Sequence, residues 1–406
     1  MGTSSVHAVG TCILTINAGS SSIKFALFAL SPGFERLLAG RIGRIGLTQP
    51  TFEVTGLNDA DNFSKSISAS NHKAAVEILM DWIEERFQAG ELAAVGHRIV
   101  HGGPKFSEPE PVTPEFIDKL HQLQNFDPEH MPQEILLMET FQRRFHGLVQ
   151  VGCFDTAFHH NLPRLAQMLS LPRRYEADGI RRYGFHGLSY AFLISELENI
   201  AGLPAAKGRV VLAHLGSGAS LAAIFEGHSM DTSMGLTPAG GVLMSTRSGD
   251  LDPGLIWYLE GEDKLTARKF NEMVNFQSGL LGISETSSDM QVLLAKANED
   301  VRASEAVALF CYQIKKYIGA YAAVLGGLDT LVFAGGIGEN APRVRALVCA
   351  GMEFLGIELD NERNLANHAI ISADSSRVTV RVIHTDEELM IAKSVCQLLG
   401  LKIPSQ

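Results

Sequence analysis

Ile13-Leu14-Thr15-Ile16-Asn17-Ala18-Gly19-Ser20-Ser21-Ser22-Ile23-Lys24-Phe25-Ala26-Leu27-Phe28 is the stretch on which the fold turns. Its apolar ends predict two strands and its middle a Gly/Ser turn, together a β-hairpin. About half a chain later the form returns as Val210-Val211-Leu212-Ala213-His214-Leu215, the turn Gly216-Ser217-Gly218-Ala219-Ser220, and Leu221-Ala222-Ala223-Ile224-Phe225. The repeat reads as an internal duplication, two lobes each opening with a hairpin. Two ordinary hairpins of similar form would leave the same trace, and the turns alone do not separate these readings. Either way, glycine lets the backbone approach a ligand, successive N–H groups form an anion-binding concavity, and Ser hydroxyls add donors. Neither turn is a Walker A loop, and neither is a Rossmann turn, because a strand follows where a helix is needed.

A third glycine element lies downstream. Ala306, Leu309, Phe310, Ile314, Tyr317, Ile318, Tyr321, Val324 and Leu325 recur at helical spacing within Ala303 to Leu325, and Gly326-Gly327 stops the helix. The predicted strand Thr330 to Ala334 then meets Gly335-Gly336-Ile337-Gly338-Glu339-Asn340. Asn340 is expected to cap the next helix, with Pro342 in its first turn. A strand, a glycine turn and a helix N-terminus suit a nucleotide, although a plain tight connection has the same sequence form. Thr51 to Asn71 lacks pattern and is expected to be a surface excursion, and Pro109, Pro111 and Pro114 mark another loop.

The wider composition agrees with two lobes. A chain of 406 residues exceeds one ordinary core. With 46% hydrophobic and 19% charged residues it is neither disordered nor a coiled coil. A net charge of −11 argues against a nucleic-acid partner. Cys12, Cys153, Cys311, Cys349 and Cys396 are scattered without a C-x-x-C pair, as expected for reduced, buried thiols in the cytoplasm. No membrane span is expected: the most apolar stretch, Tyr317 to Ile337, carries Asp329 and several glycines. Met1 to Val6 lacks the basic start of a signal peptide, and Val6 stands where a myristoylation signal needs Ser or Thr.

Against this acidic background, His and Arg gather at glycine turns: His97-Arg98-Ile99-Val100-His101-Gly102-Gly103, Cys153 to His159, Arg181-Arg182-Tyr183-Gly184-Phe185-His186-Gly187, Ala213-His214-Leu215-Gly216, and Ser245-Thr246-Arg247-Ser248-Gly249-Asp250. A lone histidine beside an apolar run is more often a packing residue. Five clusters with arginines near backbone donors suggest a site for more than one anionic group. No histidine pair has helical metal-ligand spacing. His384-Thr385-Asp386-Glu387-Glu388 is the better metal candidate, with Glu387 or Glu388 holding Mg²⁺ through one carboxylate and waters. The same residues also read as an N-cap at Thr385 followed by an acidic first turn, and both readings can hold.

In order along the chain, nine motifs resemble those of the acetate kinase (acetokinase) family: Asn17-Ala18-Gly19-Ser20-Ser21-Ser22-x-Lys24, Gly96-His97-Arg98-x-Val100-His101-Gly102-Gly103, Phe154 to His159, Tyr183 to Gly187, His214-Leu215-Gly216-x-Gly218-x-Ser220, Thr232 to Gly235, Arg247-Ser248-Gly249-Asp250-x-Asp252-Pro253, Gly336 to Asn340, and Thr385-x-Glu387-Glu388-Leu389. The resemblance implies an α/β fold of two duplicated actin/Hsp70-like (ribonuclease H-like) lobes around a central cleft, with a five-stranded sheet in each. The implied division is 1–157 plus 389–406 for an N-terminal acyl-site lobe, and 158–388 for a nucleotide-binding and dimerisation lobe. It further implies reversible phosphoryl transfer from ATP to acetate in a cytoplasmic homodimer, with Mg²⁺ (or Mn²⁺) as metal and ATP/ADP as co-substrate. No nucleic acid or membrane partner is implied.

By the same resemblance Asp155, His186 and Arg247 are catalytic. Arg98 binds the acetate carboxylate, with His130 close by. Val100, Phe185 and Pro238 form a small acyl pocket. Asn17 and Glu387 serve the metal. Lys24, His214, Gly216, Gly218, Asp289, Met290, Gln291, Gly336, Ile337, Gly338, Glu339 and Asn340 serve the nucleotide. Two positions depart from the family pattern. Glu129 stands where Leu is common beside the acyl pocket, and is expected to turn outward. Asp289-Met290-Gln291 replaces Asp-Phe-Arg beside the adenosine, which weakens stacking and relaxes nucleotide choice. Propionate or butyrate kinase is the near alternative, and a non-catalytic ATP-dependent switch of the actin/Hsp70 kind is the distant one. The separate acyl-site residues argue against the latter.

Overall fold

The computed structural model describes residues 11–401 other than Ser20, Pro32, Asn58, Gln88 and Ala89. The N-terminal reading of Met1 to Val6 and the Ser20 position of the first turn therefore lie outside the described residues. The chain forms two compact units, one ending at Ala157 and resuming at Asp386, the other running from Phe158 to Thr385. Asp386 to Glu388 thus pack with the first unit, where the sequence-based division put them in the second. Among the described residues no helix is long and apolar enough to cross a membrane.

The first unit is built on strands β1 (Cys12–Ala18), β2 (Ile23–Ala29), β3 (Arg36–Gly43), β4 (Thr51–Gly56), β5 (Phe63–Ser66), β6 (Leu92–Ile99), β7 (Glu110–Pro111) and β8 (Val149–Phe154). They form one sheet in the order β5-β4-β3-β2-β1-β6-β8-β7. β1 is buried along almost its whole length, as a strand covered on both faces is, and β6 is buried through its middle. The helix His72–Arg86 lays Ala75, Val76, Leu79, Met80 and Ile83 on the core, and Asn71 caps it by accepting the Ala74 N–H at 3.0 Å. The C-terminal helix Glu387–Leu399 packs Ile391 and Val395 against Gly96 of β6. A Cβ at that glycine would fall 2.4 Å from Ile391 Cγ2, so glycine is what lets this helix seat.

The second unit carries β9 (Val210–Leu215), β10 (Ala219–Phe225), β11 (His228–Thr232), β12 (Thr330–Ala334) and β13 (Thr379–Val382), in the order β11-β10-β9-β12-β13. Its longest helix, Val301–Leu325, buries Ala306, Phe310, Ile314, Ile318 and Tyr321 as the spacing predicts, and ends at Gly326 in the left-handed region.

The two sheets share a five-strand plan. β3-β2-β1-β6-β8 and β11-β10-β9-β12-β13 both run antiparallel, antiparallel, parallel, parallel across successive pairs. This correspondence favours duplication over two chance hairpins. The first sheet, however, has eight strands and not five. The excess includes β4 and β5, which occupy much of the segment expected to be a surface excursion. Phe52 and Val54 alternate inward from β4 and are buried, so that stretch carried a period-2 signal hidden among polar residues.

Candidate active site

In the first unit, residues from four distant places meet. Asn17 lies one residue before the end of β1, Arg98 near the end of β6, Asp155 follows β8, and Glu387 sits in the first turn of the C-terminal helix. Arg98 Nη2 donates to Asp155 Oδ2 at 2.6 Å, and its Nη1 approaches Asn17 Oδ1 at 3.4 Å. Asn17 Nδ2 donates to Glu387 Oε2 at 3.0 Å. The Arg98 side chain is 14% exposed and that of Asp155 0%. Burial works against the guanidinium charge, but Asp155 and Glu387 outweigh it and hold Arg98 more firmly protonated than usual. Burial pushes the Glu387 carboxyl upward, while Arg98 pulls it back and Asp155 adds to the rise. The helix cap is Asp386, not Thr385: its Oδ1 accepts the Leu389 N–H at 2.9 Å. Asp386 is also ion-paired to Arg36. Lys24, paired with Asn17 in the hairpin register, is exposed.

Around this cluster, His130 precedes the helix Met131–Arg144, and its ring Nδ1 lies 3.0 Å from Asp127 Oδ1. Asp127 also accepts the backbone N–H of His130 at 3.1 Å and of Glu129 at 3.2 Å. Burial raises Asp127, but its bonds to His130 prevail and lower it. Val100 is buried, and its N–H donates to Glu134 Oε2 at 3.0 Å. Glu129 is half-buried. The neighbouring histidines are not at hand for chemistry. His97 is buried against Gln150 and burial pushes it down to about 4, and His101 Nδ1 accepts the Gly103 N–H. The sequence reading missed Asp127 and Glu134. The first had a signal, since an Asp three residues before the residue that caps a helix, here His130, marks an Asx turn; the second had none.

In the second unit, His186 adopts a left-handed backbone (φ 59°) immediately before the helix Gly187–Ala201. Its ring stacks on that of His214 at 4.2 Å between centroids. Each ring is fixed by a hydroxyl: His186 Nδ1 bonds Ser220 Oγ at 2.8 Å, and His214 Nδ1 bonds Ser189 Oγ at 2.8 Å. Ser220 is bonded in turn to Tyr190, and Ser189 to Thr385. The outer edge of His186 and the Arg247 Nη1 both border Gly218: a Cβ there would stand 3.1 Å from His186 Nε2 and 3.6 Å from Arg247 Nη1. Arg247 Nη1 donates to Pro238 O at 3.2 Å. Phe185 is buried. His159 is a packing histidine, bonded to Ser229 and to the Phe185 carbonyl.

The nucleotide-side glycines also differ from expectation. Gly335–Asn340 is itself a short helix after β12. Gly335 takes φ +75°, and a Cβ there would lie 2.7 Å from the Leu215 carbonyl oxygen. Only glycine allows β12 to turn against the end of β9. Glu339 clasps this turn: Oε1 accepts the N–H of Gly335 at 2.8 Å and of Thr385 at 3.2 Å, and Oε2 meets His384. Asn340 does not cap the following helix, whose cap position is Ala341. Its Nδ2 donates to Gly336 O instead. Gly338 is buried and Ile337 half-buried. Beneath them the fully buried Arg345 donates to the carbonyls of Gly338 and Glu339, each at 2.9 Å. Of the Asp289-Met290-Gln291 set, Asp289 caps a helix by accepting the Gln291 and Val292 N–H groups and Met290 is buried in the core, which leaves Gln291 exposed.

Each unit therefore gathers its own charged set. The first holds a carboxylate-flanked arginine next to a closed apolar position, a fit for a small organic anion. The second holds an arginine, two oriented imidazoles and glycine-lined backbone, a fit for phosphates. Among the described residues no three His, Cys, Asp or Glu side chains gather to hold a metal ion.

Comparison with known proteins follows the same lines. Residues 12–393 match the model of the acetokinase family. The chain is 44% identical over 392 residues to an acetate kinase of Rhodopseudomonas palustris, covering 95% of this chain and 98% of that one. It is 42% identical over 392 residues to a propionate kinase of Citrobacter koseri, covering 95% and 96%. Among solved structures, Porphyromonas gingivalis acetate kinase superposes with a TM-score of 0.85 at 38% identity, over 96% of this chain and all of that one.

Proposed function

The chain belongs to the acetokinase family, and on that premise we propose that it transfers the γ-phosphoryl group of ATP to acetate, reversibly, giving acetyl phosphate and ADP. The observation that carries the acetate side is Arg98, a guanidinium kept charged in a nearly closed place by Asp155 and Glu387.

Acetate is already an anion at neutral pH, so its oxygen attacks without a general base. The barrier lies in bringing that anion to a triphosphate, and positioning with fixed positive charge is what lowers it. Arg98 holds the acetate carboxylate. Val100, Phe185 and Pro238 are the residues assigned to its methyl group, and His130 is held in place by Asp127. Arg247 and His186 stabilise the charge on the phosphoryl group in flight. Ser220 fixes the His186 ring so that Nε2 faces the glycine turn at Gly218. His214, Gly216 and Gly218 serve the phosphates. Gly336, Ile337 and Gly338 serve the nucleoside, with Glu339 and Asn340 shaping their turn. Asp289 and Met290 act through the local backbone and core, and Gln291 is left to meet the base. Asn17 and Glu387 would hold Mg²⁺, or Mn²⁺, with Asp155 and Lys24 near in charge. Their donors are hard oxygens, and the half-buried Glu387 carboxyl is pushed upward because its neighbours do not fully compensate it, so the set fits such a cation. When bound, the metal neutralises phosphate oxygens.

The same reading includes a cytoplasmic homodimer joined through the second unit. The helix Gly254–Asp263 buries none of its side chains, and Trp257 on it is 80% exposed beside Tyr258 and Ile256. Sedimentation should give twice the chain mass, and Trp257→Asp should give the monomer. A hydroxamate assay tests the activity: acetyl phosphate must form from acetate and MgATP, and its absence overturns the reading. Propionate should react by the same route, because one methylene separates the two acids by only ~1–3 kcal/mol.

A further inference from the structure

We propose that Glu134 is a positioning residue for the acyl acid, acting as an uncharged carboxylic acid that holds the Val100 backbone and leaves the Arg98 charge to the incoming carboxylate. The inference rests on the acetate reading above and deepens it.

Glu134 lies in the first turn of the helix Met131–Arg144, one turn beyond His130. Its side chain belongs to a residue only 2% exposed. One oxygen, Oε2, accepts the Val100 N–H at 3.0 Å. The other, Oε1, is buried and has no hydrogen-bond partner among the described residues. An ionised carboxylate there would leave half of its charge unsolvated in a dry place, at a much higher cost than one idle O–H. The neutral acid needs only what the structure supplies: Oε2 as a carbonyl acceptor for Val100.

The charges that face Glu134 come from every side. Arg98 on β6 attracts its anionic form, as does the Val100 N–H. Asp127 before the helix and Asp155 after β8 repel it, and Asp127 is itself bonded to His130. Burial outweighs the attraction and raises the carboxyl to about 8. At neutral pH the acid is therefore mostly protonated. Arg98 then answers to Asp155 and Glu387 alone. Ionised Glu134 would be a third carboxylate competing with the substrate for one guanidinium, in surroundings where charges are weakly screened.

The role predicts an effect on acyl binding and not on nucleotide binding. The full-length enzyme is assayed at saturating MgATP from pH 6 to 9.5, with acetate varied, alongside E134Q and E134L and the melting temperature of each. In the wild type, KM for acetate should climb about tenfold per pH unit above about pH 8, with KM for ATP nearly level. E134Q keeps a neutral acceptor for Val100. Its acetate KM should lie within about threefold of wild type at pH 7, and the alkaline climb should be lost. E134L removes the acceptor and should raise the acetate KM at least tenfold at every pH. An E134Q enzyme that keeps the alkaline climb, or that changes only kcat or the ATP KM, overturns the proposal. A wild type that forms no acetyl phosphate at pH 7 overturns the acetate reading, and this inference with it.

Discussion

The two units share a five-strand plan yet treat charge in opposite ways. The first buries it: Arg98, its side chain 14% exposed, is paired with the fully buried Asp155 and attracted by Glu387. The second sets its one arginine, Arg247, among polar groups: imidazoles held by Ser220 and Ser189, beside the glycine turn at Gly218. A buried ion set couples binding to stability, because removing one member strands the others. A lattice of hydroxyls and glycines does not, since each part is nearly neutral. On the proposed reading one five-strand frame, used twice, would serve two different recognition problems, a small carboxylate and a polyphosphate.

The sharpest way to break this comparison is to remove one arginine from each unit. Arg98→Ala and Arg247→Ala should each lower kcat/KM by at least ~10²-fold in the acetyl phosphate assay. Only Arg98→Ala should also lose ~3–5 kcal/mol of stability in denaturant unfolding, because Asp155 is left buried without its cation. Equal stability losses in the two variants would erase the distinction. Next in size is Gly335→Ala, which forces a Cβ onto the Leu215 carbonyl at a strained φ. It should cost ~1–3 kcal/mol and raise the ATP KM more than the acetate KM. Val100→Ala should favour propionate over acetate by a few-fold in kcat/KM, and an unchanged ratio removes Val100 from the acyl pocket. The smallest effect is on acid stability. Burial holds folded His97 at about 4 against its ordinary 6.5. Its contribution is present above pH 6.5 and is lost as pH falls toward 4, since the unfolded chain takes up the proton first. The wild-type melting temperature should drop across that window, and His97→Gln should flatten part of the drop.

What could be read beforehand was local. The hairpins at Asn17 and His214, the long helix and its Gly326 stop, and β12 all follow from periodicity and glycine punctuation over a few residues. The segment Thr51 to Asn71 failed because its inward residues, Phe52 and Val54, are too few to stand out among polar neighbours. The cap positions failed by one residue: Asp386 outcompetes Thr385, since a carboxylate accepts more strongly from a helix N-terminus, and Pro342 starts its helix from Ala341. Within the site, Arg98, Asp155, Asn17 and Glu387 stood out in local clusters, but their separate roles came only through the family resemblance. Their meeting depends on strand order, which no local pattern carries. Glu134 and Arg345 were invisible for the same reason, as a buried charged side chain reads in sequence like any surface one.

The return of the chain to its first unit at Asp386 has a consequence for biosynthesis. Strands β1 and β6 leave the ribosome early, but the helix that packs Ile391 and Val395 against Gly96 is made last. At about 5–20 residues per second, roughly ten to fifty seconds separate Ala157 from that helix. Throughout the interval the nascent first unit exposes the apolar face of its oldest strands, and it also lacks Glu387, the carboxylate that partners Asn17. The part begun first is finished last, which makes the unfinished chain a client for chaperones and makes loss of even a short C-terminal piece a defect in the N-terminal half.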